Sequence, residues 1–294
     1  MKTSISFLIF LISINSYSAD FCTDLKTTSC LTAQKIGDHL KIDPVYFTDG
    51  SFKGQAINQT IKRPVQFISE LETKTSYFVS QFYNQKQFWI AEIPKDNVDT
   101  VIFQLALFKG PADYTLAHGQ YRFIGSKPLK LYRLKNGRIT TTETKDFIFT
   151  IQAALPKGEN YNAKDAFMGN YKIVARLSNT FDRAMNEEVL DGDIVTQYTL
   201  KNLDQKKRDL LLKNAIQYSS ENLLNKDYAG ISENCLSIAF DILDKTLSLD
   251  MGRVILTVDN LLFNGKSPNE KMALDALKER GLVDQKSRIE NYKR

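Results

Sequence analysis

Two residues of this chain have the type and the setting that nucleophilic chemistry needs. Cys235 stands in Asp227-Tyr228-Ala229-Gly230-Ile231-Ser232-Glu233-Asn234-Cys235-Leu236, where the apolar spacing that follows predicts the first turn of a helix. Backbone N–H groups left free at a helix start, together with the macrodipole, favour a negative sulfur, so a lowered thiol pKa is expected there. His118 stands in Leu116-Ala117-His118-Gly119-Gln120-Tyr121-Arg122-Phe123, at the start of a predicted strand directly after a turn. An imidazole with an ordinary pKa near ~6.5 suits a general base or an ion-pair partner for a thiolate. Gly119 beside it would let another group approach closely. Such a pair attacks a carbonyl: the sulfur bonds to carbon, the histidine carries the proton to the leaving group, and an acyl-enzyme forms before water or an amine takes the acyl group. This chemistry calls for no metal and no cofactor. The plainer readings are a small hydrophobe at Cys235, on the helix side of Ile238, Ala239 and Ile242, and a partly buried histidine bonded to a neighbour at His118.

These two residues must be positioned by two different kinds of element. Between residues 88 and about 200 the pattern favours strands. Val101-Ile102-Phe103-Gln104-Leu105-Ala106-Leu107-Phe108 is a short apolar run stopped by Gly110-Pro111, and Tyr121-Arg122-Phe123-Ile124 follows before Gly125. Residues 129–134 and 138–151 flank Lys135-Asn136-Gly137, whose Asn-Gly step predicts the tight turn of a hairpin. Lys172-Ile173-Val174-Ala175-Arg176-Leu177 adds another strand. After residue 200 the period becomes helical. Asn202 with Gln205 reads as the cap of a first helix carrying Leu203, Leu210, Leu211, Ala215 and Ile216. A second helix begins near residues 232–234, with the stripe Leu236, Ala239, Phe240, Leu243, Leu247 and with Asp241, Asp244 and Lys245 off that line. A third begins at Ser267-Pro268-Asn269-Glu270 and stops by Gly281. Strands first and helices afterwards predict an α+β domain, an antiparallel sheet with helices packed on it.

Composition narrows the function class. Apolar residues make up 43% and charged ones 25%, with only 14 Gly and 7 Pro, which excludes disordered, collagen-like and low-complexity chains. Three Cys and two His are too few for a disulfide scaffold or a Cys/His-rich zinc site. The charge of +5, from 39 Lys and Arg against 34 Asp and Glu, is slight and scattered, and gives no support to nucleic-acid binding. Glu187-Glu188 and Asp191-Gly192-Asp193 lack the spacing of a calcium loop and read as a solvated turn.

The first residues give the expected place. Met-Lys, the apolar run Ile5-Ser6-Phe7-Leu8-Ile9-Phe10-Leu11-Ile12 and the small residues around Ser18 and Ala19 have the order of a secretory signal over residues 1–19. The mature chain, one domain over 20–294 with a C-terminal helix at 268–280, is then periplasmic or secreted, with no transmembrane anchor after cleavage. In an oxidising compartment Cys22 and Cys30, close together in a polar segment, are expected to form a disulfide. That leaves Cys235 unpaired, either buried and inert or kept reduced for use. His39, in Gly37-Asp38-His39-Leu40, reads as a surface residue.

The segments around His118 and Cys235 resemble the paired signatures of the Lnb N-terminal periplasmic domain family. That family shows a Gly-His step, two variable residues, then an apolar residue and Arg. Ala117-His118-Gly119-Gln120-Tyr121-Arg122 fits, with Ala117 in place of the Gly. Asp227-Tyr228 followed by Glu233-Asn234-Cys235 reproduces the family's Asp-Tyr pair and its Asn-Cys helix head, and the likeness covers about residues 99–247. The resemblance implies a permuted papain-like or NlpC/P60-like arrangement, in which a cysteine heads a helix and a histidine comes from the adjoining sheet. It implies Cys235 as nucleophile, His118 as base, and Asn234, Tyr228 and Arg122 as supporting residues that orient substrate or stabilise an oxyanion. The implied substrate is an envelope molecule bearing an acyl or peptide group. A thiol peptidase or amidase on cell-wall peptides, and a non-catalytic envelope-binding module that keeps the fold, are the rival expectations.

Overall fold

The computed structural model describes residues 21–22, 30–109, 115–184, 192–221, 223–229, 233–249 and 268–289. The expected signal segment 1–19 and most of the acidic turn at 187–193 lie outside them. Within them the chain is α+β, with a large, mostly antiparallel sheet and helices against it.

A small ribbon comes first: β1 (Phe21–Cys22) pairs antiparallel with β2 (Cys30–Leu31), and Cys22 is the register partner of Cys30. Helix α1 (Ala33–Leu40) follows, its first turn capped by Thr32, whose hydroxyl accepts from the Lys35 N–H. The large sheet is built from β3 (Gln66–Phe67), β4 (Ser76–Asn84), β5 (Gln87–Pro94), β6 (Val98–Lys109), β7 (Thr115–Lys135), β8 (Arg138–Ala154), β9 (Tyr171–Asn179), β10 (Ile194–Thr199), β11 (Asp227–Tyr228) and β12 (Arg288–Ile289). A short helix α2 (Ala163–Phe167) precedes β9. The strand order is β11-β9-β4-β5-β7-β6-β10-β12, with β8 bridging β7 and β9. The pairings β4–β5, β5–β7, β7–β8 and β8–β9, with one parallel contact between Tyr83 of β4 and Ser178 of β9, close part of the sheet into a ring.

Strand β7 makes this ring possible because it changes partners along its length. Its first half pairs with β6 and its second half with β5, and the ladder to β8 shifts register between Ile124 and Leu129. The interrupted stretch is Gly125-Ser126-Lys127-Pro128; proline has no N–H for the ladder, and bulges tolerate one. Asn97 fixes the irregularity, accepting from Ser126 and the Lys127 N–H on one amide atom and donating to the Lys127 carbonyl with the other. At the hairpin tip Asn136 and Gly137 both have positive φ, 52° and 74°, as the Asn-Gly turn requires.

Helices α3 (Gln205–Ser219) and α4 (Cys235–Leu247) pack on each other and on the sheet, and α5 (Pro268–Glu279) joins them over β7. The α4 stripe Leu236, Ala239, Phe240, Leu243 is buried in one continuous core with Phe103, Tyr121, Phe123, Phe147 and Phe149. Each such side chain contributes about 1.5–3 kcal/mol on burial. One sequence expectation is corrected here. The cap of α3 is Asp204, which accepts from the Lys207 N–H at 2.8 Å; Asn202 instead has a positive φ of 57° and donates its side-chain amide to the Gly281 carbonyl. Asp244, off the apolar stripe, is buried all the same, and Arg280 donates to both of its oxygens at 2.6 Å, tying the end of α5 to α4. No described helix is long and apolar enough to cross a membrane.

Candidate functional site

Cys235 is the first residue of α4, and the chain arrives there through a closed loop. Tyr228 is placed on the sheet by its register with Tyr171 of β9. Beyond it, Ala229 and Glu233 exchange backbone hydrogen bonds of 3.0 and 2.9 Å, which returns the chain beside Tyr228. Asn234 then caps the helix: its Oδ1 accepts from the N–H groups of Leu236 and Ser237, and the Ser237 hydroxyl accepts from the Asn234 N–H in a capping box. Asn234 is thereby spent on the helix.

The sulfur itself is enclosed, with Cys235 5% and Tyr228 7% exposed. The Tyr228 hydroxyl donates to Sγ at 3.6 Å, and the backbone N–H groups of Gly119 and Leu236 lie in hydrogen-bonding position to it. Burial nevertheless pushes the thiol pKa up, against the opposing pull of Tyr228, the two amides and Arg183. This reverses the sequence expectation of a lowered value. The helix-start N–H groups that would have held a thiolate are shared with Asn234 and Tyr228, and desolvation outweighs what remains.

Gly119 does admit α4. A Cβ built there would lie 2.9 Å from Leu236 Cδ1 and 3.2 Å from Phe103 Cζ, so the close approach of strand and helix requires glycine. His118 is the next residue, but a strand turns successive side chains to opposite faces. Tyr121, on the face of Gly119, donates to the Ala239 carbonyl of α4, whereas His118, Gln120 and Arg122 project from the other face. The His118 Nε2 lies 2.6 Å from Thr150 Oγ1 of β8. Burial and then the charges of Arg183, Lys62 and Arg176 hold its pKa well below the ordinary histidine value, so the ring is neutral at neutral pH. Among the described contacts none joins the imidazole to the sulfur. The structure brings Cys235, Tyr228 and Asn234 together with the backbone of Gly119, and it turns the side chains of His118 and Arg122 away from that cluster.

The face that His118 occupies carries a feature sequence reading did not find. Gln197, Gln104, Gln120, Thr150 and Arg176 are register partners in turn across β10, β6, β7, β8 and β9, and all five are at most 2% exposed. Gln120 donates to Gln104, Gln104 to Gln197, and Arg122 also donates to Gln197 while pairing with Asp146 at 2.8 Å. Arg183, in a wide single turn of helix at residues 180–184, donates its Nε to Gln120 at 3.1 Å. Its charge acts on both Cys235 and His118. Its neighbours Phe181 and Asp182 give no periodicity that would have marked it.

A file of rings runs from Phe47 through Phe52, Tyr171 and Tyr161 to Phe108, with successive centroids 5.6 to 6.3 Å apart. Tyr161 is 43% exposed yet close enough to the sulfur for burial, Cys235 and Tyr171 to push its phenol pKa up. The remaining residues singled out from sequence are elsewhere. His39 is half-buried at the end of α1, its Nε2 3.1 Å from Glu70 Oε1. Cys22 and Cys30 face each other by backbone register, and their side chains lie outside the described residues. Compared with family models, curated proteins and solved structures, the chain matches none.

Proposed function

We propose that the protein is an exported enzyme that transfers or hydrolyses an acyl or amide group through a thioester on Cys235. The observation that carries this reading is the meeting of two distant chain segments at one sulfur: the β7 amide next to His118, and the Tyr228 hydroxyl, both directed at the first residue of α4. A cysteine at the head of a helix packed on an antiparallel sheet supports a permuted papain-like or NlpC/P60-like arrangement, and kinship with Lnb N-terminal periplasmic domains.

The resting pair in this mechanism is a neutral thiol and a neutral imidazole, because burial raises the one pKa and burial with nearby cations lowers the other. His118 lies on the opposite face of β7, bonded to Thr150, so it reaches the sulfur only as the strand itself twists when substrate enters. The Sγ–C bond forms while the carbonyl π pair moves to oxygen and the thiol proton passes to His118. Collapse breaks the bond to the leaving group, which takes that proton, and water or an amine then repeats the sequence on the thioester. Asn234 holds the helix start, and Arg122 braces the sheet through Asp146.

Purified mature chain, offered diacyl lipopeptides and peptidoglycan fragments side by side, should form product from one class only. A thioester mass should appear on Cys235, and both signals should vanish in Cys235→Ala. Product from peptide fragments alone would make it a thiol peptidase or amidase. A second reading rests on the 5% exposure of Cys235 and the engagement of His118 with Thr150: an envelope-binding module without turnover. Binding of either substrate class with no product and no adduct would decide for it.

A further inference from the structure

The resemblance assigns Tyr228 to the substrate, but its hydroxyl is already engaged with the cysteine. That single oxygen meets both ends of Cys235: it donates to Sγ at 3.6 Å, and the Cys235 backbone N–H meets it in turn. The ring is held on three sides. Its strand register with Tyr171 fixes the backbone, the Ala229–Glu233 bridge closes the loop behind it, and the side chain is buried in the main core. A donor so placed cannot follow a substrate, but it can fix a thiol.

We infer that Tyr228 is a positioning residue for Cys235: by bridging the N–H and the Sγ of one residue it sets the thiol's rotamer and donates its O–H to the sulfur as that sulfur becomes negative. The inference rests on Cys235 being the reacting sulfur. Tyr228 keeps its own proton throughout, and burial beside Cys235 holds its phenol pKa well above the ordinary value, so it is a donor over the range in which the thiol ionises. The proton that leaves the sulfur goes to His118 or to solvent. The Asn234 side-chain oxygen serves the helix start instead, accepting from the N–H groups of Leu236 and Ser237.

The test is the pH dependence of Cys235 alkylation by iodoacetamide in the folded full chain, read by peptide mass so that Cys22 and Cys30 are resolved from it. Tyr228→Phe should move the midpoint up by roughly one pH unit, since a hydrogen bond to the charged form is lost. A fluorinated tyrosine at position 228, a stronger donor of the same shape, should move the midpoint down, and it covers the case in which phenylalanine loosens the fold. Tyr161→Phe should leave it in place. Unchanged midpoints in both position-228 variants would overturn the inference. So would a shift with phenylalanine but none with the fluorinated ring, which would assign the effect to packing. Alkylation needs no substrate, so a shifted midpoint without acyl transfer defeats the proposed function alone, and acyl transfer with an unmoved midpoint defeats this inference alone.

Discussion

The two faces of β7 differ in kind, and four consecutive residues sample both. Gly119 and Tyr121 face α4: one is small enough for Leu236 to touch the strand, the other hydrogen-bonds the helix backbone. His118 and Gln120 face the polar row, where hydrogen bonds join side chains of β10, β6, β7 and β8. The same strand therefore carries an apolar seat for the sulfur and a wired polar layer for the imidazole. The lesson concerns alternation: a Gly placed to admit the cysteine helix turns the histidine before it to the other side, and the charge of Arg183 acts on both.

If the apolar seat depends on contact and the polar layer on hydrogen bonds, point changes should break them in different ways. Gly119→Val should have the largest effect, about 3 kcal/mol of lost stability, because its branches would collide with Leu236 and Phe103, which are 2% and 0% exposed. Helix α4 should be displaced, so Cys235 should alkylate faster in the native protein; denaturant titration and labelling rate check both. Gln120→Leu should cost about 2 kcal/mol, since it removes the acceptor of Arg183 and the donor to Gln104 in a buried row. Its Cys235 labelling rate should change by less than about threefold, as a Coulomb effect through high effective dielectric allows. A large change in labelling with Gln120→Leu would show that the two faces are coupled and not separate.

How much of this was legible beforehand follows from how local each feature is. The Asn136-Gly137 turn, the α4 start at Asn234 and the room left by Gly119 rest on nearby residues, and sequence reading reached them. The strand Ser76–Asn84 was not marked, because it is buried on nearly every residue and so lacks alternation. The α3 cap went to Asp204 and not Asn202 because Asn202 is drawn to Gly281, a tertiary partner outside any local window. The polar row was beyond reach for a similar reason: Gln104, Gln120, Thr150, Arg176 and Gln197 become neighbours only through strand register. The thiol pKa was misread in direction because a helix start predicts free N–H groups, while burial and capping are decided by the whole fold.

The smaller predictions sharpen the contrast on adjacent positions. Tyr121→Phe removes one neutral hydrogen bond to the Ala239 carbonyl and should cost about 1 kcal/mol at every pH between 5.5 and 8, the flat profile expected of a group that does not titrate there. His118→Gln keeps a neutral partner for Thr150 and should change stability by less than about 1 kcal/mol at pH 7.5. Its effect should appear on the acid side. The folded histidine pKa lies below the unfolded value near ~6.5, so the unfolded chain takes up the proton first, and the wild type loses stability as pH falls below that value. Each pH unit below it costs at most about 1.4 kcal/mol, while glutamine has no proton to take. The gap between wild type and variant should therefore shrink, or change sign, between pH 7 and 5.5 in denaturant titrations. A constant gap would mean that His118 is solvated like an exposed histidine, against the burial and the charges of Arg183, Lys62 and Arg176 that act on it.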